Sequence, residues 1–214
     1  MRLCCFVADQ RSPEWKAAHL GRITSSVAPA ALGIDPYHSR KWAWRMIVGL
    51  ELDHDNPFIR WGLEQEPNAR AAYETETGWL VRRTGLWVHD EHRWLGASPD
   101  GLVGSRGGVE IKCPVSLPTR VPPNHRCQIY VQMAVLGWAW CDYWAWTPTR
   151  HYYERLQAPR SFDGLIRALE RFRRDFILTE KEPPRKRPRR RKKLASAEPE
   201  ATLADGCTAV APTL

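Results

Sequence analysis

The sequence has no apolar run long enough to cross a membrane, no cysteine motif of a metal or redox site, and no internal repeat. A membrane-spanning helix needs about 18 or more consecutive apolar residues, whereas this chain of 214 residues has no such run and a mean hydropathy of −0.50. Its six cysteines show no C-x-x-C pair and no Cys/His spacing typical of a zinc site. The first residues are too short an apolar stretch for a secretory signal. These absences predict a soluble intracellular protein with free thiols and no membrane partner.

The net positive charge is also small over most of the chain. The net charge is +8, but residues 181–193 alone carry +8 and residues 194–214 carry −3, which leaves +3 for residues 1–180. The length suits one domain plus a tail, so we predict a folded domain over residues 1–180 and a disordered tail over residues 181–214. A nucleic-acid site in the folded part must therefore be recognised from local chemistry rather than from bulk charge.

Helix signals dominate the first part of the chain. Ser12 and Asn56 are each followed by proline, a combination typical of a helix start, and residues 39–49 have a similar capping serine. Residues 23–26 look like the start of a short helix that reaches Gly33. Because proline removes a backbone hydrogen bond, Pro67 predicts a kink or short break in the helix that begins at Asn56.

Strand signals follow from residue 79 onward. The apolar period changes to two over residues 79–112, where turn-forming residues separate five short strands and residues 104–108 predict a hairpin turn. A helix over residues 122–137, two strands within residues 142–156 and a last helix from Ser161 complete the pattern. This order predicts an α/β (α+β layered) domain with a central mixed sheet flanked by helices and a helical N-terminal region.

Three residues of the predicted hairpin favour metal chemistry. Alternate side chains of a strand share a face, so Glu110 and Lys112 project together while Ile111 points into the core, and the hairpin can bring Asp100 beside them. Two close carboxylates repel unless a cation lies between them, and oxygen ligands suit Mg²⁺ or Mn²⁺. Lys112 could then orient or deprotonate a water aimed at phosphorus. Taken singly, these residues fit a turn aspartate and a solvated strand face equally well.

Six ordered blocks place the chain beside a known family. The pattern of Asp100 with Glu110-x-Lys112 is that of the PD-(D/E)xK nucleases, and the blocks together resemble bacteriophage lambda exonuclease and the YqaJ-type viral recombinases over roughly residues 11–177. The blocks are Trp15 with residues 23–26, residues 62–67 with Ala69 and residues 73–74, residues 96–101, residues 110–114, Gln128 with Gln132, and residues 141–142. The resemblance implies a restriction-endonuclease-like core and a Mg²⁺-dependent exonuclease that acts 5′→3′ on linear double-stranded DNA in viral recombination, repair or genome processing.

The same resemblance implies roles for particular residues at the metal. Asp100, Glu110 and the backbone carbonyl of Ile111 would be metal ligands, and Lys112 would act on the attacking water. Glu66 matches a helix-borne acid of the family that approaches the metal. Read without the resemblance, Glu66 is a solvated helix acid.

Four further residues have implied roles around the substrate. Gln128 matches a glutamine that supports the site, and Ser26 matches a serine that contacts phosphate. His19 stands where family members have an arginine that binds the 5′-phosphate, and Arg22 lies one helical turn away. Histidine is neutral at pH 7 unless an anion raises its pKa, so an endonuclease of the same superfamily stays open as an alternative. A non-catalytic DNA-binding module is a third hypothesis, which a broken triad would favour.

A basic run lies in the predicted tail, and its members are Arg185, Lys186, Arg187, Arg189, Arg190, Arg191, Lys192 and Lys193. Three hypotheses fit this run. It resembles a nuclear import signal, it could bind DNA through counterion release, or it could be a solvated tail. If the run is an import signal, the protein belongs to a virus that works in the nucleus of a eukaryotic host. Without import, we expect a cytoplasmic protein. The resemblance further implies a homotrimer and a single-strand annealing protein as partners.

Overall fold

The computed structural model describes residues 4–5, 12–50 and 56–184. The basic run at residues 185–193 lies outside this part of the chain. The helices are α1 (Pro13–His19), α2 (Ala28–Leu32), α3 (Arg40–Ile47), α4 (Pro57–Thr77), α5 (Pro123–Leu136) and α6 (Asp163–Phe172), which continues into a π-helix (Arg173–Ile177). The strands are β1 (Cys4–Cys5), β2 (Ile23–Thr24), β3 (Val81–Arg82), β4 (Trp87–Val88), β5 (Leu95–Ala97), β6 (Gly101–Val103), β7 (Gly107–Lys112), β8 (Trp140–Thr147) and β9 (Arg150–Gln157). Over the described ranges, no helix combines the length and apolarity that a membrane span requires.

Side-chain caps begin three of the helices where the sequence predicts them. The side chains of Ser12, Ser39 and Asn56 each accept a hydrogen bond from the backbone N–H three residues later, at 3.1, 3.2 and 2.9 Å. Such a bond satisfies one of the N–H groups that a helix start leaves without a partner. The predicted starts of α1, α3 and α4 are therefore confirmed.

Residues 23–26 do not begin a helix as predicted. Ile23–Thr24 forms β2, which pairs in parallel with Leu95 and Gly96 of β5. Ile23 and Thr24 are both buried, so β-branched side chains in a pleated, packed setting outweigh the capping signal of the serines. Helix α2 begins only at Ala28 and has no side-chain cap.

Pro67 lies inside α4 without interrupting it. Of the predicted kink or short break, the break is therefore wrong, and the kink stays a prediction. The helix extends from Pro57 to Thr77 as one element. Its buried residues, Ala69 and Tyr73, pack against β7 and β8 just after the proline. This tertiary packing offsets the backbone hydrogen bond that a proline removes from a helix.

The strands form two sheets, which confirms the mixed α/β class. One sheet has the order β1-β4-β5-β2 and the other the order β3-β6-β7-β8-β9. Strands β7 and β8 are parallel, and parallel neighbours need a crossover connection, which α5 supplies. Strands β5 and β6 are consecutive in the chain but belong to different sheets. Residues 98–100 therefore bridge the two sheets.

A small apolar cluster under α4 orients the strand that carries the predicted chemistry. Ile111 of β7 packs there with Val109, Ala69, Tyr73 and Trp144 and is 5% exposed. Because side chains alternate along a strand, Ile111 faces α4 while Glu110 and Lys112 face the opposite side. The predicted inward orientation of Ile111 is confirmed.

Gly108 is expected to be a position where even one methyl group destabilises the fold. The hairpin turn is shorter than predicted, because Gly108 already belongs to β7. A Cβ atom at Gly108 would lie 2.0 Å from the ring of Trp138. We expect Gly108→Ala to lower the free energy of unfolding by about 2–3 kcal/mol, as in overpacked cores. Urea unfolding followed by circular dichroism measures this change.

Gly62→Ala is the matched control. Gly62 lies in α4, and a methyl group added there would have no other atom within 4 Å. This variant should be neutral or slightly stabilising, because alanine is preferred over glycine in a helix. Equal urea midpoints for the two variants would contradict the steric explanation.

Candidate active site

Asp100 lies in the connection between the two sheets and is held against β7. Its Oδ2 accepts a hydrogen bond of 2.7 Å from the backbone N–H of Ile111. The next residue, Gly101, lies close to β3, because a Cβ atom there would lie 2.0 Å from Val81 Cγ1. The chain thus brings Asp100 beside Glu110, as the hairpin predicts.

Glu110 is the centre of a polar cluster on the face of β7 that points toward α5. It is fully buried, and its Oε1 and Oε2 accept hydrogen bonds of 2.6 Å from Gln128 Nε2 and Gln132 Nε2. Lys112 Nζ lies 2.5 Å from Oε1. A buried carboxylate is tolerated when its oxygens are bonded in this way. These contacts fix the orientation of Glu110.

Gln132 is a site residue to which the sequence alone assigns no role. It is fully buried and lies one helical turn after Gln128, so both glutamines face Glu110 from α5. The signal that points to it is the i, i+4 spacing of two glutamines on a helix whose other buried residues are mostly apolar.

Burial and the crowding of carboxylates in the cluster shift the pKa values of Asp100 and Lys112. Burial and then the charge of Glu110 raise the pKa of Asp100 well above its usual value, with Lys112 acting in the opposite direction and Glu66 adding to the increase. Burial of the Lys112 ammonium disfavours its charge, but Glu110 and Asp100 outweigh this effect and raise the pKa of Lys112. The cluster therefore favours additional positive charge.

Glu66 reaches the same cluster from α4. Its charge contributes to the raised pKa of Asp100, and it forms an ion pair with Arg70, one helical turn further along. Burial, followed by the charges of Glu66 and Asp100, raises the pKa of the neighbouring Cys113 to about 11. Cys113 is a free cysteine, and this pKa keeps it a neutral thiol at physiological pH.

The donor atoms of the cluster are compatible with a hard divalent cation. Within the described ranges, no three His, Cys, Asp or Glu side chains are grouped closely enough to form a metal site by themselves. The predicted ligand set does not rest on such side chains alone, since it combines Asp100, Glu110 and Glu66 with the backbone carbonyl of Ile111. Mg²⁺ usually binds through one or two carboxylates and retains several waters. A cation between these oxygens would also relieve the repulsion that raises the pKa of Asp100.

The three residues predicted to contact the 5′-phosphate lie together. His19, Arg22 and Ser26 line one cavity of about 690 Å³, which Lys16 also lines. His19 Nδ1 lies 2.6 Å from the carbonyl oxygen of Trp15, and Arg22 Nη1 donates to a backbone carbonyl of α1 at 2.7 Å. Lys16 is a cation of this cavity that the sequence pattern does not single out.

A hydrogen bond connects this cavity, which we call the terminal cavity, to the segment just before Asp100. We call Asp100, Glu110 and Lys112 the carboxylate cluster. Trp15, in the cavity wall, donates from Nε1 to Ser98 Oγ at 3.0 Å. Ser98 precedes Asp100 by two residues, in the segment that joins the two sheets. Residues 98–100 therefore contact the wall of the terminal cavity through Ser98 and also contain Asp100.

A buried ion pair fixes α4, and with it Glu66, on the second sheet. Asp142 is fully buried and accepts from Arg155 Nε and Nη2 at 2.7 and 2.8 Å. Tyr73 of α4 donates from its hydroxyl to Asp142 Oδ2 at 2.7 Å. The Arg155 guanidinium also lies over the ring of Trp140, 3.8 Å from its centroid. We call Tyr73, Asp142 and Arg155 the α4 clamp.

Comparison with known proteins finds a family model and solved structures that resemble the chain. The family model of the YqaJ-like viral recombinase domain matches residues 14–139. The alkaline exonuclease LHK-Exo from Laribacter hongkongensis is 32% identical, with a TM-score of 0.63 over 78% of this chain and 92% of that one. Its complex with dAMP aligns at 30% identity and a TM-score of 0.64. A phage-related exonuclease from Haemophilus somnus shares the fold, at 14% identity and a TM-score of 0.53 over 78% of this chain and 99% of that one. No curated protein matches the chain.

Proposed function

We propose that this chain, which belongs to the family of YqaJ-like viral recombinase domains, is a metal-dependent exonuclease that degrades linear duplex DNA in the 5′→3′ direction. Two structures of one alkaline exonuclease resemble the chain at 30% and 32% identity, and each match covers 78% of the chain. The observation that carries the proposal is the cluster of Asp100, Glu110 and Lys112, in which Glu110 is oriented by two glutamines and a lysine.

Asp100, Glu110 and the carbonyl of Ile111 would hold the metal, with Glu66 approaching from α4. When bound, a divalent ion supplies positive charge that polarises a phosphate oxygen and lowers the pKa of a coordinated water. Gln128 and Gln132 keep the Glu110 carboxylate in one orientation.

Lys112 is positioned to hold the nucleophile rather than the metal. Its ammonium has three N–H donors, one of which is directed to Glu110 Oε1. The others can donate to the attacking water or to a phosphate oxygen. Both contacts would align the water with phosphorus and contribute through orientation.

The terminal cavity would bind the 5′-phosphate of the DNA end. Its polar lining combines Lys16, His19, Arg22 and Ser26, which are residue types that donate to phosphate oxygens. The Trp15–Ser98 hydrogen bond places this lining at a set position relative to Asp100. An occupied terminal cavity would therefore present a phosphodiester bond near the chain end to the carboxylate cluster.

The direct test is digestion of linear duplexes that carry a 5′-phosphate or a 5′-hydroxyl, with closed circles alongside, in Mg²⁺ and in EDTA. We expect loss of the 5′-phosphorylated linear DNA at least about tenfold faster than of the hydroxyl form, since a charge-assisted hydrogen bond contributes about 1.5–3 kcal/mol. EDTA should stop the reaction. Gel electrophoresis with end-labelled DNA measures both rates and polarity.

A His19→Arg variant sharpens the same test. It introduces the arginine that the family resemblance implies at this position and should increase the preference for a 5′-phosphate, since a guanidinium binds phosphate with a fixed charge. Circles cut as fast as linear DNA would favour the endonuclease alternative. DNA that is bound but never cut would favour the non-catalytic DNA-binding module.

The assembly and the cellular setting stay predictions. A homotrimer, a single-strand annealing partner and a role in viral recombination rest on the family resemblance. The basic run 185–193 lies outside the described residues. Glu182, just before it, accepts a hydrogen bond of 2.7 Å from Lys41 of α3, so the chain still contacts the domain at that point.

A further inference from the structure

A second cavity lies along α4, on the side where Glu66 approaches the carboxylate cluster. Its volume is about 320 Å³. Its lining includes Leu63, Glu66, Pro67, Arg70 and Glu74 from α4, with Arg83 from the segment after β3. We call it the α4 cavity. Apart from Glu66, the residues of this cavity have no role in the proposed reaction.

Arg70 has one donor group without a partner in this cavity. Its Nη2 pairs with Glu66 Oε1, whereas its Nη1 is buried and has no hydrogen-bond partner within residues 4–5, 12–50 and 56–184. The Arg70 side chain is only 14% exposed. A buried donor left without an acceptor is unfavourable. Because Arg70 is one of the residues that line the cavity, a ligand bound there could supply the acceptor.

The wall has two arginines and two glutamates, so the contacts that engage the two carboxylates decide which ligand it can bind. Glu74 Oε1 already accepts a hydrogen bond of 2.7 Å from the backbone N–H of Val81, and Glu66 is paired with Arg70. Both carboxylates are therefore engaged within the protein. Arg83 is an exposed second cation of the same cavity. Two guanidinium groups that line one cavity are a typical arrangement for binding phosphate.

We propose that the α4 cavity binds a backbone phosphate of the DNA strand, next to the phosphodiester bond that is cleaved. This inference rests on the proposed function, because Glu66 belongs both to the cavity wall and to the group of carboxylates around Asp100. A DNA strand at the carboxylate cluster therefore passes close to Arg70 and Arg83. Leu63 and Pro67 provide an apolar wall against which a deoxyribose can pack.

The decisive variant is Arg83→Gln, and Arg82→Gln is its matched control. Both arginines are exposed and adjacent in the sequence, but only Arg83 lines the α4 cavity. Arg83→Gln also leaves the pair between Arg70 and Glu66 in place. The probe is a 5′-phosphorylated linear duplex, with binding measured in EDTA so that it is not degraded, over a series of salt concentrations.

Arg83→Gln is expected to weaken DNA binding about tenfold at physiological salt, and to reduce the slope of log K against log salt by close to one, since each phosphate contact contributes about 0.9 to that slope on duplex DNA. Arg82→Gln should match the wild-type protein. In Mg²⁺, Arg83→Gln should raise KM by a similar factor and change kcat less than about twofold, as expected for a group that binds substrate and transition state equally.

Equal affinities and salt slopes for the two variants would overturn the inference, and so would a lower kcat of Arg83→Gln with unchanged binding. Failure of the proposed function looks different. In that case the wild-type protein would cut no DNA in Mg²⁺, while the binding comparison in EDTA would still report whether Arg83 contacts a phosphate.

Discussion

Asp100→Asn is expected to abolish DNA cleavage while leaving the protein at least as stable as the wild type. Asparagine keeps an oxygen that can accept from the backbone N–H of Ile111, a bond of 2.7 Å in the wild type, so the local backbone should not change. What it removes is a negative charge that the fold disfavours. Burial and the neighbouring Glu110 raise the pKa of Asp100, so the ionised carboxylate lowers stability at neutral pH.

The two effects of Asp100→Asn are measured separately. The rate of digestion should fall by at least about 10³-fold, since metal-assisted stabilisation of the reacting charges contributes several kcal/mol. The urea midpoint should stay equal or rise. Mg²⁺ should raise the melting temperature of the wild-type protein but not of the variant, because a ligand stabilises only the state that binds it. Activity within tenfold of wild type would exclude Asp100 as a metal ligand.

Asp142→Asn is expected to have the largest effect on stability. Asp142 is fully buried and accepts three hydrogen bonds in the α4 clamp. Replacing it by a neutral amide leaves the Arg155 guanidinium without its counter-charge. Breaking one side of a buried ion pair costs about 3–5 kcal/mol, and because Arg155 is 32% exposed we expect about 3 kcal/mol. Urea unfolding measures the loss.

A more exposed ion pair, between β9 and α5, provides the comparison. Glu154 of β9 pairs with Arg126 at 3.1 Å, and both side chains are about one third exposed, at 32% and 38%. Glu154→Gln should cost less than about 1 kcal/mol, as exposed ion pairs do. If both variants lose the same stability, the α4 clamp is not a special anchor of the helix.

The sequence predicts much of the candidate site because its key residues are close in the chain. Asp100, Glu110 and Lys112 lie within one hairpin, so alternation along a strand is enough to bring them together. Gln132 could not be assigned in this way. Its role depends on the face of β7 against which α5 packs, which is a tertiary fact that no local pattern contains.

The errors have the same physical origin. Ile23 and Thr24 form a strand only because β5, about seventy residues later, supplies the parallel partner. Capping signals at Ser25 and Ser26 are local, so they predict a helix there. Pro67 is similar, since the packing of Tyr73 keeps α4 continuous where the local rule predicts a break.

The position of Asp100 between the two sheets links activity to their relative docking. Strand β5 belongs to the four-stranded sheet and β6 to the five-stranded sheet, whereas Glu110 and Lys112 belong to the second sheet alone. A small opening between the sheets would pull on residues 98–100 and on the hydrogen bond between Asp100 and Ile111 that keeps Asp100 beside Glu110, while each sheet kept its own ladder of hydrogen bonds. The free energy of this local opening, which can be much smaller than that of global unfolding, therefore sets the conditions under which the assembled site persists.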